Sequence, residues 1–324
     1  MRDVKFGTGL DAFGAPADRF MPGGYKEAPP LEEMFAAAGK VDSLEGVELL
    51  HGLQVDDENA DKVKDLLDRY DLSVSAILAD VWGSRKWSTG SLIAADATVR
   101  EEAVEEVNRT VDLAEKLDAD IVNLWFGQDG NDYPFQMDYA EAWEWMIEGL
   151  QKCADYNEDA QLTVEYKPME PRKHSLIDTA AKTLLLLDEV NRSNVSLLLD
   201  IGHSFYAGEN VSEVVSLVSR KGKLGGVHLN DNYRFWDDDM LVGSVHTIET
   251  LEFLYWLERV DYDGWYTLDI FPYREDGVKA ARESIEWIKA MRRSLDEVGM
   301  DRIVKVVDSR DSIEISKLMR QVLM

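Results

Sequence analysis

The chain has 324 residues and sets 35 Lys and Arg against 63 Asp and Glu, a formal charge of -28 at pH 7. That balance repels phosphate backbones and anionic lipid headgroups, which excludes nucleic acid and membrane surfaces as general partners. A hydrophobic content of 45%, spread along the chain, suffices for a large core and excludes a disordered polypeptide. The single cysteine, Cys153, permits no intrachain disulfide and no cysteine-rich zinc site; its expected place is in helix packing. Met1 to Lys5 leads into structure without an apolar leader, and no window approaches ~18 uninterrupted apolar residues, so a cytoplasmic protein is expected.

In chain order, strands are predicted at Val4 to Thr8, Gly46 to His51, Ser73 to Leu78, Asp120 to Leu124, Leu162 to Tyr166, Ser196 to Asp200, Leu224 to Leu229 and Trp265 to Ile270. Each is short and rich in Val, Ile, Leu or Tyr, as a strand buried on both faces should be. Helical patterns alternate with them at Leu31 to Gly39, Asn59 to Tyr70, Val99 to Leu117, Tyr139 to Tyr156, Ile177 to Val190, Val211 to Arg220, Ile248 to Arg259 and Val278 to Val298. Thr98 with Glu101 forms a capping-box signature before the third helix. Eight uninterrupted strand-helix units predict a (β/α)8 TIM barrel over residues 1–298. Gly7-Thr8-Gly9 lacks a third glycine and a helix directly behind it, so the dinucleotide reading is weak. Residues 299–324 lie outside the eight units, either as an oligomerisation arm or as a helix folded on its own barrel.

In such a barrel the chemistry sits at the C-terminal ends of the strands. Glu165, Asp200, His228 and Asp269 fall there on four successive strands, with Lys167 two residues past Glu165. His203 follows Asp200, Asp237-Asp238-Asp239 follow His228, and His51 ends strand two. Singly, each is as readily a salt-bridge partner, a solvated loop acid or a core histidine as a ligand. Together they point to metal, since burying unpaired carboxylates is costly. Carboxylates and imidazoles without thiolate suit Mn²⁺, Mg²⁺ or Co²⁺. Their number suggests two divalent cations, one held by Glu165, Asp200, His228 and Asp269, the other by His203, Asp237 and Asp239 with Asp200 bridging. His174 and His246 have no such support and are read as helix-start or surface residues.

Glu165-Tyr166-Lys167-Pro168-Met169-Glu170-Pro171-Arg172 resembles the Glu-Xaa-Lys-Pro-Xaa-Glu-Pro-Arg signature of xylose isomerases. Trp125-Phe126-Gly127-Gln128-Asp129-Gly130, the segment from Trp87 to Arg100, His228-Leu229-Asn230 and Thr267 to Pro272 are similar to further segments of that family. The ligand pair Asp200 and His228 looks more like L-rhamnose isomerase, and Gly52-Leu53-Gln54 lacks the acid that follows the strand-two histidine in xylose isomerases. The resemblance implies reversible aldose-ketose isomerisation of an open-chain sugar by a metal-assisted 1,2-hydride shift, in a homodimer or homotetramer. It implies Lys167, His51 and Asp239 as catalytic groups, and Trp125, Trp82, Trp87 and His203 as substrate contacts. The competing readings are a ketose 3-epimerase of the same superfamily, a zinc-dependent DNA-repair endonuclease and a catalytically silent binding barrel. The charge of -28 opposes the endonuclease, which needs a basic groove.

Of the 63 acids, 35 are Asp. An Asp-heavy, lysine-poor surface is a means of staying soluble at high salt. The expected outcome is loss of the fold as KCl is lowered, read by circular dichroism; full stability in dilute buffer would contradict it.

Overall fold

The computed structural model describes residues 1–323, and in it the predicted alternation closes on itself. Eight parallel strands, β1 (Lys5–Gly9), β2 (Leu44–Leu50), β3 (Ser73–Leu78), β4 (Val122–Trp125), β5 (Leu162–Glu165), β6 (Val195–Asp200), β7 (Leu224–Leu229) and β8 (Trp265–Leu268), form one closed barrel. β1 pairs with both β2 and β8, so no edge is left open. Around it lie α1 (Leu31–Ala38), α2 (Ala60–Tyr70), α3 (Ala97–Lys116), α4 (Tyr139–Tyr156), α5 (Ala180–Val190), α6 (Ile201–Tyr206), α7 (Val211–Arg220), α8 (Thr247–Arg259) and α9 (Gly277–Val298). The apolar core fills the shell between strands and helices, with Val47, Leu49, Leu124, Leu197 and Leu199 facing out into it. Cys153 is buried there on α4, as expected. None of the described helices is long and apolar enough to cross a membrane.

The differences from the sequence pattern have local causes. α3 begins at Ala97 and is capped by Asp96, whose carboxylate accepts from the Thr98 N–H at 2.9 Å. The capping box at Thr98 is therefore corrected: an Asp upstream took the cap, and Thr98 is already in the first turn. β4 starts at Val122, because Ala119 still donates to Ala114 in the turn that closes α3. β2 and β8 end at Leu50 and Leu268, so His51 and Asp269 stand one residue beyond their strands. α6 is an extra helix after β6. Residues past Gly299 form α10 (Met300–Ser309) and α11 (Ser312–Leu323), which pack back on α9 through Ile303, Leu318 and Val322.

The barrel floor is made of small residues. A Cβ at Gly225 would lie 2.0 Å from the Ser196 hydroxyl, and Gly7 sits against Ser75 and Thr267. Side chains of normal size fit only above this layer, toward the C-terminal ends of the strands. There the loops are pinned by buried Asp129, which accepts from the Ser91 hydroxyl at 2.8 Å, the Leu92 N–H at 3.1 Å and the Ser91 N–H. Burial pushes the Asp129 carboxyl up to about 6 against the pull of these donors. Asp129→Ala would strand them and is expected to cost about 2–4 kcal/mol, measured as a shift in the urea midpoint with unchanged slope.

Candidate metal centre

Register builds the site. Trp125 on β4 lies level with Glu165 on β5, and Asp200 on β6 lies level with His228 on β7. Two groups of potential ligands result among the described residues, each with its ligand atoms within 4.8 Å of one another: Glu165, Asp200, His228 and Asp269, and Asp200, His203 and Asp237. They share Asp200, and Asp239, expected in the second group, lies outside both.

Neighbours fix each ligand. Glu165 accepts from the Asn123 amide at 2.7 Å, and Asn123 is itself set by the Thr163 hydroxyl at 3.0 Å. Asp200 caps α6, accepting from the His203 N–H at 2.8 Å with one oxygen and from the Asn230 amide at 2.9 Å with the other. Gly202 makes room for that amide, since a Cβ there would lie 2.2 Å from the Asn230 side-chain oxygen. His228 bonds through Nε2 to Glu48 at 2.7 Å, while its Nδ1 lies 3.4 Å from both Glu165 and Asp269 and 3.9 Å from Asp200. A carboxylate on the outer nitrogen is the arrangement that aims the inner lone pair of a ligating histidine.

The groups fit cations. His228 Nδ1, His203 Nδ1 and Asp237 Oδ1 are buried without a hydrogen-bond partner among the described residues, and all three residues belong to the two groups. Oxygen and imidazole donors without sulfur suit a hard or borderline divalent ion.

The charges are frustrated without one. Burial pushes Asp200 up to about 7 although His203 pulls it down. Burial, then Asp237 and Asp269, hold Asp239 well above the carboxylate range. Burial opposes ionised Asp237 as well, but Lys167 and His203 outweigh it and keep that carboxyl well below its usual value. Glu165 is likewise held down to about 2 by His228 and His203 despite burial. Burial disfavours a charged His203, yet Asp200 and Asp237 raise it to about 9. Lys167 stays charged above the ordinary lysine value, its burial offset by Asp237 at 2.7 Å, Asp239 and Glu170.

Lys167 lies 5.2 Å from the Trp125 ring centroid, and Trp125 packs on Trp82 at 4.8 Å. His203 sits between Glu165 at 3.3 Å and Asp237 at 2.9 Å. Asp239 joins through Asn230, whose amide reaches it at 3.2 Å. Other expected residues point elsewhere. His51 turns to α3, its Nδ1 2.7 Å from the Thr110 hydroxyl and 3.1 Å from Glu106, so an acid does accompany it, but from a helix. Trp87 is fully buried, with the Lys86 ammonium 4.2 Å from its ring centroid. His246 starts α8, as expected, and bonds Asp231 at 2.8 Å. The sequence reading missed Glu48, an acid inside the apolar run Gly46-Val47-Glu48-Leu49-Leu50, and Asp11 with Gln54 at the foot of the next loops. An ionisable group in a strand buried on both faces is the signal that marks Glu48.

This fold and site define a TIM-barrel protein with carboxylate-imidazole clusters at the strand ends that could hold metal ions. The family model described as a xylose isomerase-like TIM barrel matches residues 35–291, and the chain belongs to that family. It is 28% identical over 212 residues to a probable sugar isomerase of Mesorhizobium japonicum, covering 64% of this chain and 48% of that protein. To a xylose isomerase of Thermus thermophilus it is 28% identical over 234 residues, covering 69% and 60%. The chain thus spans about half to three fifths of the length of these curated relatives. Among solved structures, a D-tagatose 3-epimerase-like protein superposes with TM-score 0.70 at 18% identity, covering 90% of this chain and 99% of that one. An L-ribulose 3-epimerase follows with TM-score 0.69 at 17% identity, covering 91% and 98%, and both likenesses show the shared fold.

Asp200 and His203 bind protons more tightly folded than unfolded, from 3.8 to about 7 and from 6.5 to about 9. For each, the stabilisation is complete below the unfolded value and lost as pH rises through the folded one. Metal-stripped protein is therefore expected to lose thermal stability from about pH 4 to about pH 9, and Mn²⁺ to restore it most at the upper end, where less proton must be displaced. Melting curves with EDTA or Mn²⁺ check this; coincident curves would contradict it.

Proposed function

We propose that the protein is a divalent-metal-dependent aldose-ketose isomerase that moves a hydride between C1 and C2 of an open-chain sugar. The observation that carries this reading is the pair of ligand groups sharing Asp200, with the charged Lys167 beside the second group and over the Trp125 ring. A homologue named sugar isomerase and another named xylose isomerase support the same class.

Glu165, Asp200, His228 and Asp269 would hold one cation, and Asp200, His203 and Asp237, with Asp239 alongside, a second. Bound there, divalent cations supply Lewis acidity toward hydroxyl and carbonyl oxygens. Lys167 Nζ donates to the C1 oxygen as negative charge grows on it. One Asp239 oxygen is taken by Asn230, leaving the other to accept the O2 proton and return it to O1. The C2 hydrogen travels with its electron pair to C1, so substrate and product are isomers and no oxidant is needed. Trp125 and Trp82 wall the path of the hydride against water.

Two measurements test the mechanism in Mn²⁺-loaded protein supplied with a panel of pentoses and hexoses. Deuterium at C2 of the aldose should stay in the ketose; washout into solvent would show proton abstraction instead. Lys167→Met should lower kcat by roughly 10²- to 10³-fold with a smaller change in KM.

A further inference from the structure

The ligands, Lys167 and the tryptophan wall all come from β3 to β8 and the segments that follow them. The β1 and β2 side of the mouth contributes Glu48, which holds His228, and one further polar pair with no part in either ligand group, Asp11 and Gln54. Asp11 lies in the single turn Leu10–Phe13 directly after β1. Gln54 is buried and cannot rotate: its side-chain oxygen accepts from the Leu50 N–H at 2.9 Å, which forces the amide nitrogen outward to donate to Asp11 Oδ1 at 2.8 Å. Its own carbonyl is held in turn by the Asn59 amide at 3.1 Å.

This is a rigid mount for a carboxylate that has no cationic partner among the described residues. Its turn follows the C-terminal end of β1, so Asp11 stands at the same rim of the barrel as the ligand groups, and burial, then Asp269 and Glu48, push its carboxyl up to about 7. Neither a lysine nor an arginine stands among the groups acting on it most strongly. A half-buried carboxylate with one oxygen engaged and no counter-ion lacks the donors that would offset its desolvation. Asp11 lies outside both sets of atoms close enough to share an ion, and the amide that fixes it presents N–H, which ligates nothing. What remains is a ligand that brings neutral donors, and hydroxyl groups are such donors.

We propose that Asp11, aimed by Gln54, is the specificity-determining carboxylate of the site, accepting hydrogen bonds from hydroxyl groups of the open-chain sugar on the β1 and β2 side of the mouth. This rests on the reading of the site as a sugar site, and it adds which residue discriminates between sugars. A site built to bond a hydroxyl rejects an analogue that lacks it, because its polar group is then left unpaired.

The test uses binding instead of turnover. Calorimetry on the Mn²⁺-loaded full chain measures xylitol, ribitol, sorbitol and mannitol, together with their single-deoxy analogues. At least one polyol should bind, and Asp11→Asn should weaken it about tenfold to a hundredfold. One deoxy analogue should bind the wild-type protein as weakly as the parent polyol binds the variant, and should bind both proteins alike. Affinity for Mn²⁺ should be unchanged in the variant. Gln54→Met, which leaves the carboxylate but removes its mount, should give a smaller loss and guards against a folding defect in the first variant. Equal polyol affinities for wild type and Asp11→Asn, no polyol binding at all, or a parallel fall in Mn²⁺ affinity would each overturn the proposal. Polyol binding that depends on Asp11 in a protein that converts no aldose would uphold it while sinking the isomerase reading.

Discussion

More negative than positive charge is packed into one water-poor barrel mouth, and the rest of the site is arranged around that imbalance. Asp11, Glu48, Glu165, Asp200, Asp237, Asp239 and Asp269 outnumber Lys167, His203 and His228. Like charges at short range cannot all ionise, so burial and repulsion split the carboxyls into two populations. Glu165 and Asp237 stay ionised beside the bases, while Asp200 and Asp239 are driven toward the protonated form. Divalent cations held there would supply the missing positive charge where it is short, between groups that burial has left without a partner among the described residues.

Such crowding persists only because buried neighbours hold these groups in place. Asn123 grips Glu165 from the neighbouring strand, Asn230 bridges Asp200 and Asp239, and Glu48 fixes the orientation of His228. Each is inside the molecule and bonded on at least one side, so the ligands meet in a preset geometry instead of being gathered by the ion. The small-residue floor contributes as well. With Gly7 and Gly225 filling the lower lumen, larger polar side chains are confined to the end where the ligands stand.

The barrel was legible because buried parallel strands read as short apolar runs and amphipathic helices separate them at every step. The acids and imidazoles that gather at the mouth were legible because ionisable residues at strand ends break that pattern. The amides were not: Asn123, Asn230 and Gln54 carry no charge and follow no period, and their value lies in contacts across the barrel. His51 shows what parity would have added. On a strand, side chains alternate, so an inward Glu48 turns Leu49 out, Leu50 in and the following His51 out toward α3, where the structure places it. The full burial of Trp87 was not legible for a different reason: composition marks an aromatic near the mouth but not whether its own loop, pinned here by Asp129, folds over it.

The acidic composition and the acidic mouth are separate facts with separate physics. Two divalent cations bring +4 against a formal -28, so filling both ligand groups leaves most of the excess charge on the surface. Exposed charges interact through water and are screened within about 3 Å at 1 M salt, whereas buried pairs are screened much less. Monovalent salt therefore acts on the outer population and leaves the mouth nearly untouched, while a cation that must strip protons from Asp200 and His203 acts on the mouth and hardly alters the surface. A neutral ligand can approach a strongly acidic protein without electrostatic penalty. An anionic one would be repelled at every distance the salt does not screen.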